Sequence, residues 1–386
     1  MRVPLRCLGV QATLLALLGC GLAATSAQAA VDAPLVSAVS TSTDSWVTLP
    51  MGDISDPNNT FWELFHTAPG SSHWSLVTPP GVADNGGLIE SASAGAALVG
   101  VLPSQLLRFS PLAQSASGGS SWIPAFLPGA LSPVPDALAD EEASPEGAIA
   151  LVRGGRALSG SVGFSSWSPL VTAAELSRVS RDCSVLGLDG ATLLPSGAPL
   201  IATGCRRGGR VGLFTRTAAA WRNVGLTLGG PLRGAATTVL RVQSTAATTT
   251  VLALASIGGR RSLQALWRSG SAPWTVARPL AIGSGASVRS TAVNSAGDVA
   301  VLLGGTGGTG EAVDIAPTGA WKRLPRLPAR TVGAALPAGP LPSNGPDIDV
   351  FTVDGESLDV FSLTPSGEAW AKFQSSQIPL AYGSSG

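Results

Sequence analysis

The chain has 386 residues, 45% hydrophobic and only 12% charged, where an ordinary domain carries about 25% charged residues. Its 24 Lys and Arg balance 24 Asp and Glu, so no long-range field draws in nucleic acid or an anionic membrane surface. Forty-eight Gly and 29 Pro exclude an architecture of long helices and fit many short strands joined by tight turns.

Residues 1–30 read as a targeting segment. Arg2 and Arg6 form a basic start, Leu8 to Leu18 are mostly apolar, and Ala27-Gln28-Ala29 supplies the small-x-small pattern that a signal peptidase accepts. Within it, Leu17-Leu18-Gly19-Cys20 resembles a bacterial lipobox, which would instead be cut before Cys20 and lipidated there. Export is expected on either route, to a secreted or an envelope-anchored product. After residue 30 no apolar run reaches the ~18 residues that cross a bilayer, so no transmembrane span is expected in the mature chain.

Seven tryptophans organise the rest. Trp74, Trp122, Trp167, Trp221, Trp274, Trp321 and Trp370 lie at successive separations of 48, 45, 54, 53, 47 and 49 residues. A period near 50 with a fixed aromatic, a glycine-rich step before it and alternating apolar residues reads as one four-stranded unit per period. The expected fold is all-β, a seven-bladed β-propeller of four-stranded antiparallel blades over residues 31–381, with a flexible tail at 382–386. The units run at about 31–80, 81–130, 131–173, 174–229, 230–283, 284–328 and 329–381, and the count holds to within about one. The first unit is the weakest, since Pro34 to Asn59 lacks the Gly pair. It either supplies its own two inner strands or pairs with the last unit, because an open ring would expose strand edges.

The sixth unit shows the grammar best. Asn294-Ser295-Ala296-Gly297-Asp298 is a turn, Val299 to Leu303 a buried strand, Gly304-Gly305 a sharp bend, Ala312 to Ile315 a third strand, and Pro317-Thr318-Gly319 the turn before Trp321. Trp321 then opens an outer strand, where its ring covers the space between neighbouring blades. Apolar pairs precede the tryptophans at Leu64-Phe65, Leu213-Phe214, Leu266-Trp267 and Val360-Phe361. Cys183 and Cys205 flank the turn at Leu194 to Ala198 and are expected to form a disulfide within one blade, as an oxidising compartment permits.

The run from apolar strand through Gly-Gly to Trp and Leu-Pro, as in Trp321 to Pro325, resembles the Kelch repeat over most of residues 140–380. A Kelch repeat usually also carries a Tyr in its third strand, whereas the chain's one Tyr is Tyr382. The turn before each Trp is loosely similar to the Asp-box of sialidase-type propellers, without the characteristic Asp at Thr318-Gly319 and Ser366-Gly367. The galactose oxidase and sialidase chemistries implied by these resemblances both need tyrosines that this chain lacks.

Other candidate groups have ordinary readings. His66 and His73, the only two histidines, flank the turn before Trp74 and read as surface turn residues. Asp53-Ile54-Ser55-Asp56-Pro57-Asn58-Asn59 offers oxygen ligands but reads as Asx turns. Asp136, Asp140, Glu141, Glu142 and Glu146 read as a solvated loop, with a carbohydrate-active hydrolase or lyase as the alternative if they line the central channel. Arg206, Arg207 and Arg210, and Arg260 and Arg261, follow the inner strands of two successive units at equivalent positions and so converge on one rim, a candidate ligand-binding surface. No catalytic residue, metal or cofactor is implied. The expected role is a monomeric exported scaffold that binds a protein or glycan through loops on one face.

Overall fold

The computed structural model describes residues 35–379 except 57–58, 69–70, 72, 81–86, 94–95, 104–105, 141–146, 218–219, 306–309, 318, 337 and 339–347. The targeting segment with Cys20, the tail with Tyr382, and Thr318, Glu141, Glu142 and Glu146 lie outside the described residues.

The described chain is an all-β propeller. In the first unit, strands Val36–Ser40, Ser45–Gly52, Thr60–Thr67 and Ser75–Leu76 hydrogen-bond in succession, each antiparallel to the last. The inner strands of the later units are Leu88–Ser93, Leu138–Asp140, Gly190–Leu193, Ala236–Ser244, Ser287–Val293 and Thr331–Ala335, and the same antiparallel meander follows each. One α-helix interrupts the strands, Ala173–Val179. Its capping box is complete: the Glu175 N–H donates to Thr172 Oγ1, and the Thr172 N–H donates to Glu175 Oε2 at 2.8 Å.

The expected count of seven separate blades is corrected. Among the described residues five sheets stand as separate blades, and the units at 31–80 and 284–328 run together as one eight-stranded sheet. The join is a parallel pairing of two inner strands, Val36↔Ser290 through Val39↔Val293. Gly333, on the intervening inner strand, explains the approach. A Cβ there would stand 2.7 Å from both Leu49 Cδ2 and Val36 Cγ1, so glycine lets the flanking strands close over it.

The ring closes by contacts between the first and last units, each with its own inner strands. Gly52 donates to the Gly355 carbonyl at 2.9 Å, the Trp74 N–H to Gln374 Oε1 at 2.7 Å, and Gln374 Nε2 back to the Trp74 carbonyl at 2.9 Å.

Every repeating tryptophan stands at or just before a fourth, outer strand, as at Trp167–Thr172 and Trp370–Gln377. Six of them donate the indole N–H to the preceding unit. Trp122, Trp167, Trp274, Trp321 and Trp370 donate to the carbonyls of Val77, Phe126, Val224, Arg278 and Pro325 at 2.9–3.2 Å, and Trp74 to Asp349 Oδ2 at 2.8 Å. These six tryptophans therefore pin their units to the preceding ones. The apolar pairs lie in third strands, with Leu64, Phe65, Leu213, Phe214, Leu266 and Val360 fully buried.

Cys183 and Cys205 are disulfide-bonded with their Cα atoms 5.0 Å apart. The bond ties the segment after the helix to the end of strand Pro199–Gly204. In the chain-entropy model, closing such a loop contributes about 3 kcal/mol.

Candidate functional site

One charged residue, Arg241, stands inside the apolar run Val239-Leu240-Arg241-Val242 of an inner strand. Pairing with the second strand skips between Val239 and Arg241, and such a bulge re-aims the side chain beside it. Arg241 is 2% exposed and gathers four units at the axis. Its Nε donates to Asp136 Oδ1 at 3.0 Å, and its guanidinium donates to the carbonyls of Ala38 at 2.9 Å and Thr291 at 3.0 Å. The Val242 N–H reaches Asp136 Oδ2 at 2.5 Å. Burial pushes the Asp136 carboxyl above its usual range, against the pull of Arg241 and the Val242 N–H. A buried carboxylate so held is committed to the scaffold.

Glu90, 5% exposed, is a second lone charge on an inner strand. Its Oε1 accepts the Ser37 hydroxyl at 2.7 Å. Burial raises its pKa to about 7, opposed by the Ser37 hydrogen bond and the Arg241 charge.

Above this polar lock opens a cavity of about 400 Å³. Its wall comes from first-to-second strand turns and inner-strand ends: Thr41, Ser91, Asp140, Thr192, Gln243 and Thr245 supply polar groups, and Val39, Ala139, Ala191 and Leu193 apolar ones. Five of the six expected units with residues here contribute hydroxyls. Neither Glu90 nor Arg241 was singled out by sequence, although a lone charge in an apolar strand is the signal, since such groups are seldom buried unpaired.

The acidic stretch is thereby corrected in part. Asp136 is a buried axial residue, not a solvated one, and Asp136 and Asp140 both line the cavity. His66 is also corrected: it lies in strand Thr60–Thr67, half-buried, with Nε2 2.8 Å from Asp44 Oδ1 and its ring 4.3 Å from that of Trp46. His73 is exposed beside the turn. In the Asp53 loop the Ser55 N–H and hydroxyl reach Asp53 Oδ1 at 3.0 and 2.6 Å, which holds that carboxyl below its usual range, and Asn59 Nδ2 donates to Asp56 Oδ2 at 2.8 Å. The side chains thus build Asx turns. Among the described residues no three His, Cys, Asp or Glu converge as metal ligands.

The arginines occupy second-to-third strand turns, at the opposite end of the ring from the cavity. Arg206 and Arg207 lie between strands Pro199–Gly204 and Arg210–Thr217, and Arg260 and Arg261 open strand Arg260–Arg268. Arg210 pairs with Asp182 at 3.1 Å and Arg261 donates to the Ala286 carbonyl at 2.6 Å. Arg206, Arg207 and Arg260 are exposed.

No protein-family model and no curated protein matches the chain, so the Kelch resemblance rests on its residues alone. Solved structures match in fold. A GH74 xyloglucanase from Xanthomonas campestris superposes with a TM-score of 0.50 at 13% identity over 85% of this chain, which spans only 52% of that enzyme. A six-bladed β-propeller lectin from Aleuria aurantia matches at a TM-score of 0.41 and 14% identity, over 77% of this chain and 96% of its own. A GH43 protein from Bacillus licheniformis matches at 0.37 and 9%, over 89% of each chain. At such identities the likeness concerns the scaffold alone.

Proposed function

We propose that the protein is an exported binding propeller whose axial cavity holds a neutral, polyhydroxylated ligand, such as a terminal saccharide of a glycan. The observation that carries this is the cavity of about 400 Å³ to whose wall five units contribute hydroxyls. Hydroxyl, amide and carboxylate groups offer both donors and acceptors to sugar hydroxyls. Asp136 is held by Arg241 and the Val242 N–H, so it is not presented for proton transfer. In this reading the double-width sheet counts as two fused blades, giving a monomeric ring of seven units distantly related to Kelch repeats. The disulfide supports export, and no helix among the described residues is long and apolar enough to cross a membrane.

A hydrolase is the second reading, favoured by one observation: Glu90, raised to about 7, shares the cavity wall with Asp140. A glycan array probed with residues 31–386, scored for bound protein and for released products, separates the two. Retention without release is expected; release would transfer the function to catalysis.

A further inference from the structure

The end of the ring opposite the axial cavity holds a second cavity, of about 430 Å³, between the sixth and seventh units. Arg289, Arg326 and Arg330 line it over an apolar floor of Leu302, Leu303 and Leu327. The backbone places the first and last of these arginines. Arg289 is the extra residue of a β-bulge, since pairing steps from Val288↔Leu303 to Ser290↔Leu302, and a bulge turns the inserted side chain out of the ladder. Its guanidinium lies over Gly304, where any Cβ would collide with it. Arg330 adopts φ 62°, in the left-handed region that a non-glycine residue enters seldom.

The charge does not balance. Arg330 pairs with Asp354, whereas among the described residues neither Arg289 nor Arg326 has an ion-pair partner. Arg206, Arg207 and Arg260 stand at the same end of the ring. Guanidinium groups fit oxyanions in a planar, two-pronged geometry, and a concave apolar surface beside them strengthens the contact by limiting water.

We propose that this cavity is an anion site, for a small organic ligand bearing one carboxylate, sulfate or phosphate whose apolar face rests on Leu302 and Leu327. It is separate from the axial cavity and takes a different chemistry. The test is calorimetric titration of residues 31–386 at low salt with galacturonic acid, glucose 6-sulfate and glucose 6-phosphate, and with glucose as the neutral control. At least one anion should bind more tightly than glucose, whose binding reports the axial cavity alone, and the preferred probe names the head group. Arg289→Gln with Arg326→Gln should weaken binding about tenfold or more. Asp354→Asn, which frees Arg330, should tighten it, an effect that a merely structural role would not produce. Silence with all three anions, or anion binding unchanged in the double variant, would overturn the proposal. Retention of neutral glycans by the double variant shows whether the axial cavity fails or stands independently.

Discussion

Removing the Arg241 guanidinium would leave Asp136 an uncompensated buried carboxylate and strip the carbonyls of Ala38 and Thr291 of a donor. Breaking one side of a buried pair costs about 3–5 kcal/mol. Arg241→Met should therefore lower the urea midpoint at neutral pH by an equivalent amount, and Asp136→Asn added to it should restore part of the loss. Glu90 makes stability depend on pH. Its carboxyl titrates at about 7 in the folded chain against its ordinary 4.5, so in that window the folded state holds more protons than the unfolded one. Its contribution to stability is then present at low pH and falls as pH rises from about 4.5 to about 7. Glu90→Gln should remove this slope, gaining on the wild type by roughly 3 kcal/mol at most across the window, at about 1.4 kcal/mol per pH unit. Denaturant unfolding at several pH values would show it, and parallel curves for the two proteins would refute it.

At the scale of strands, the indole hydrogen bonds explain why the tryptophans recur. Six of the seven repeating tryptophans reach the unit before them, and a period of 45–54 residues is the length of one meander. Trp122→Phe keeps the ring and loses the bond to Val77, so unfolding should cost about 0.5–1.5 kcal/mol less, with no change in circular dichroism. The tryptophan period and the apolar pairs made the outer and third strands legible, and the turn flanked by Cys183 and Cys205 made the disulfide legible. The bulges beside Arg241 and at Arg289 were not, because a one-residue insertion leaves no periodic signature and depends on the partner strand. The helix at Ala173–Val179 was missed although Thr172 and Glu175 spell its capping box. The partners of Glu90 and Arg241 lie 53 and 105 residues away, at Ser37 and Asp136, and no local pattern names them.

The whole molecule has zero formal net charge, yet some of its charges cluster. Glu90, Asp136 and Asp140 gather where first strands turn into second ones, and Arg206, Arg260, Arg289 and Arg326 stand at the other end, which also carries Asp53, Asp56, Asp354 and Glu356. Composition alone conceals such clusters, because it sums over the whole surface. The ring closure between Trp74 and Gln374 and the parallel join of the first and sixth units were equally hidden, since both link residues hundreds of positions apart. The proposed function turns on the axial cavity as the place where a neutral glycan is held without being cut. Ala246→Trp, on an exposed turn at the cavity mouth, obstructs that cavity and leaves the core intact. The deciding measurement is the glycan array run with this variant beside the wild type, with released products assayed. The account predicts that the wild type is retained and releases nothing, and that the variant is not retained. Undiminished retention of the variant, or saccharide released by the wild type, would contradict it.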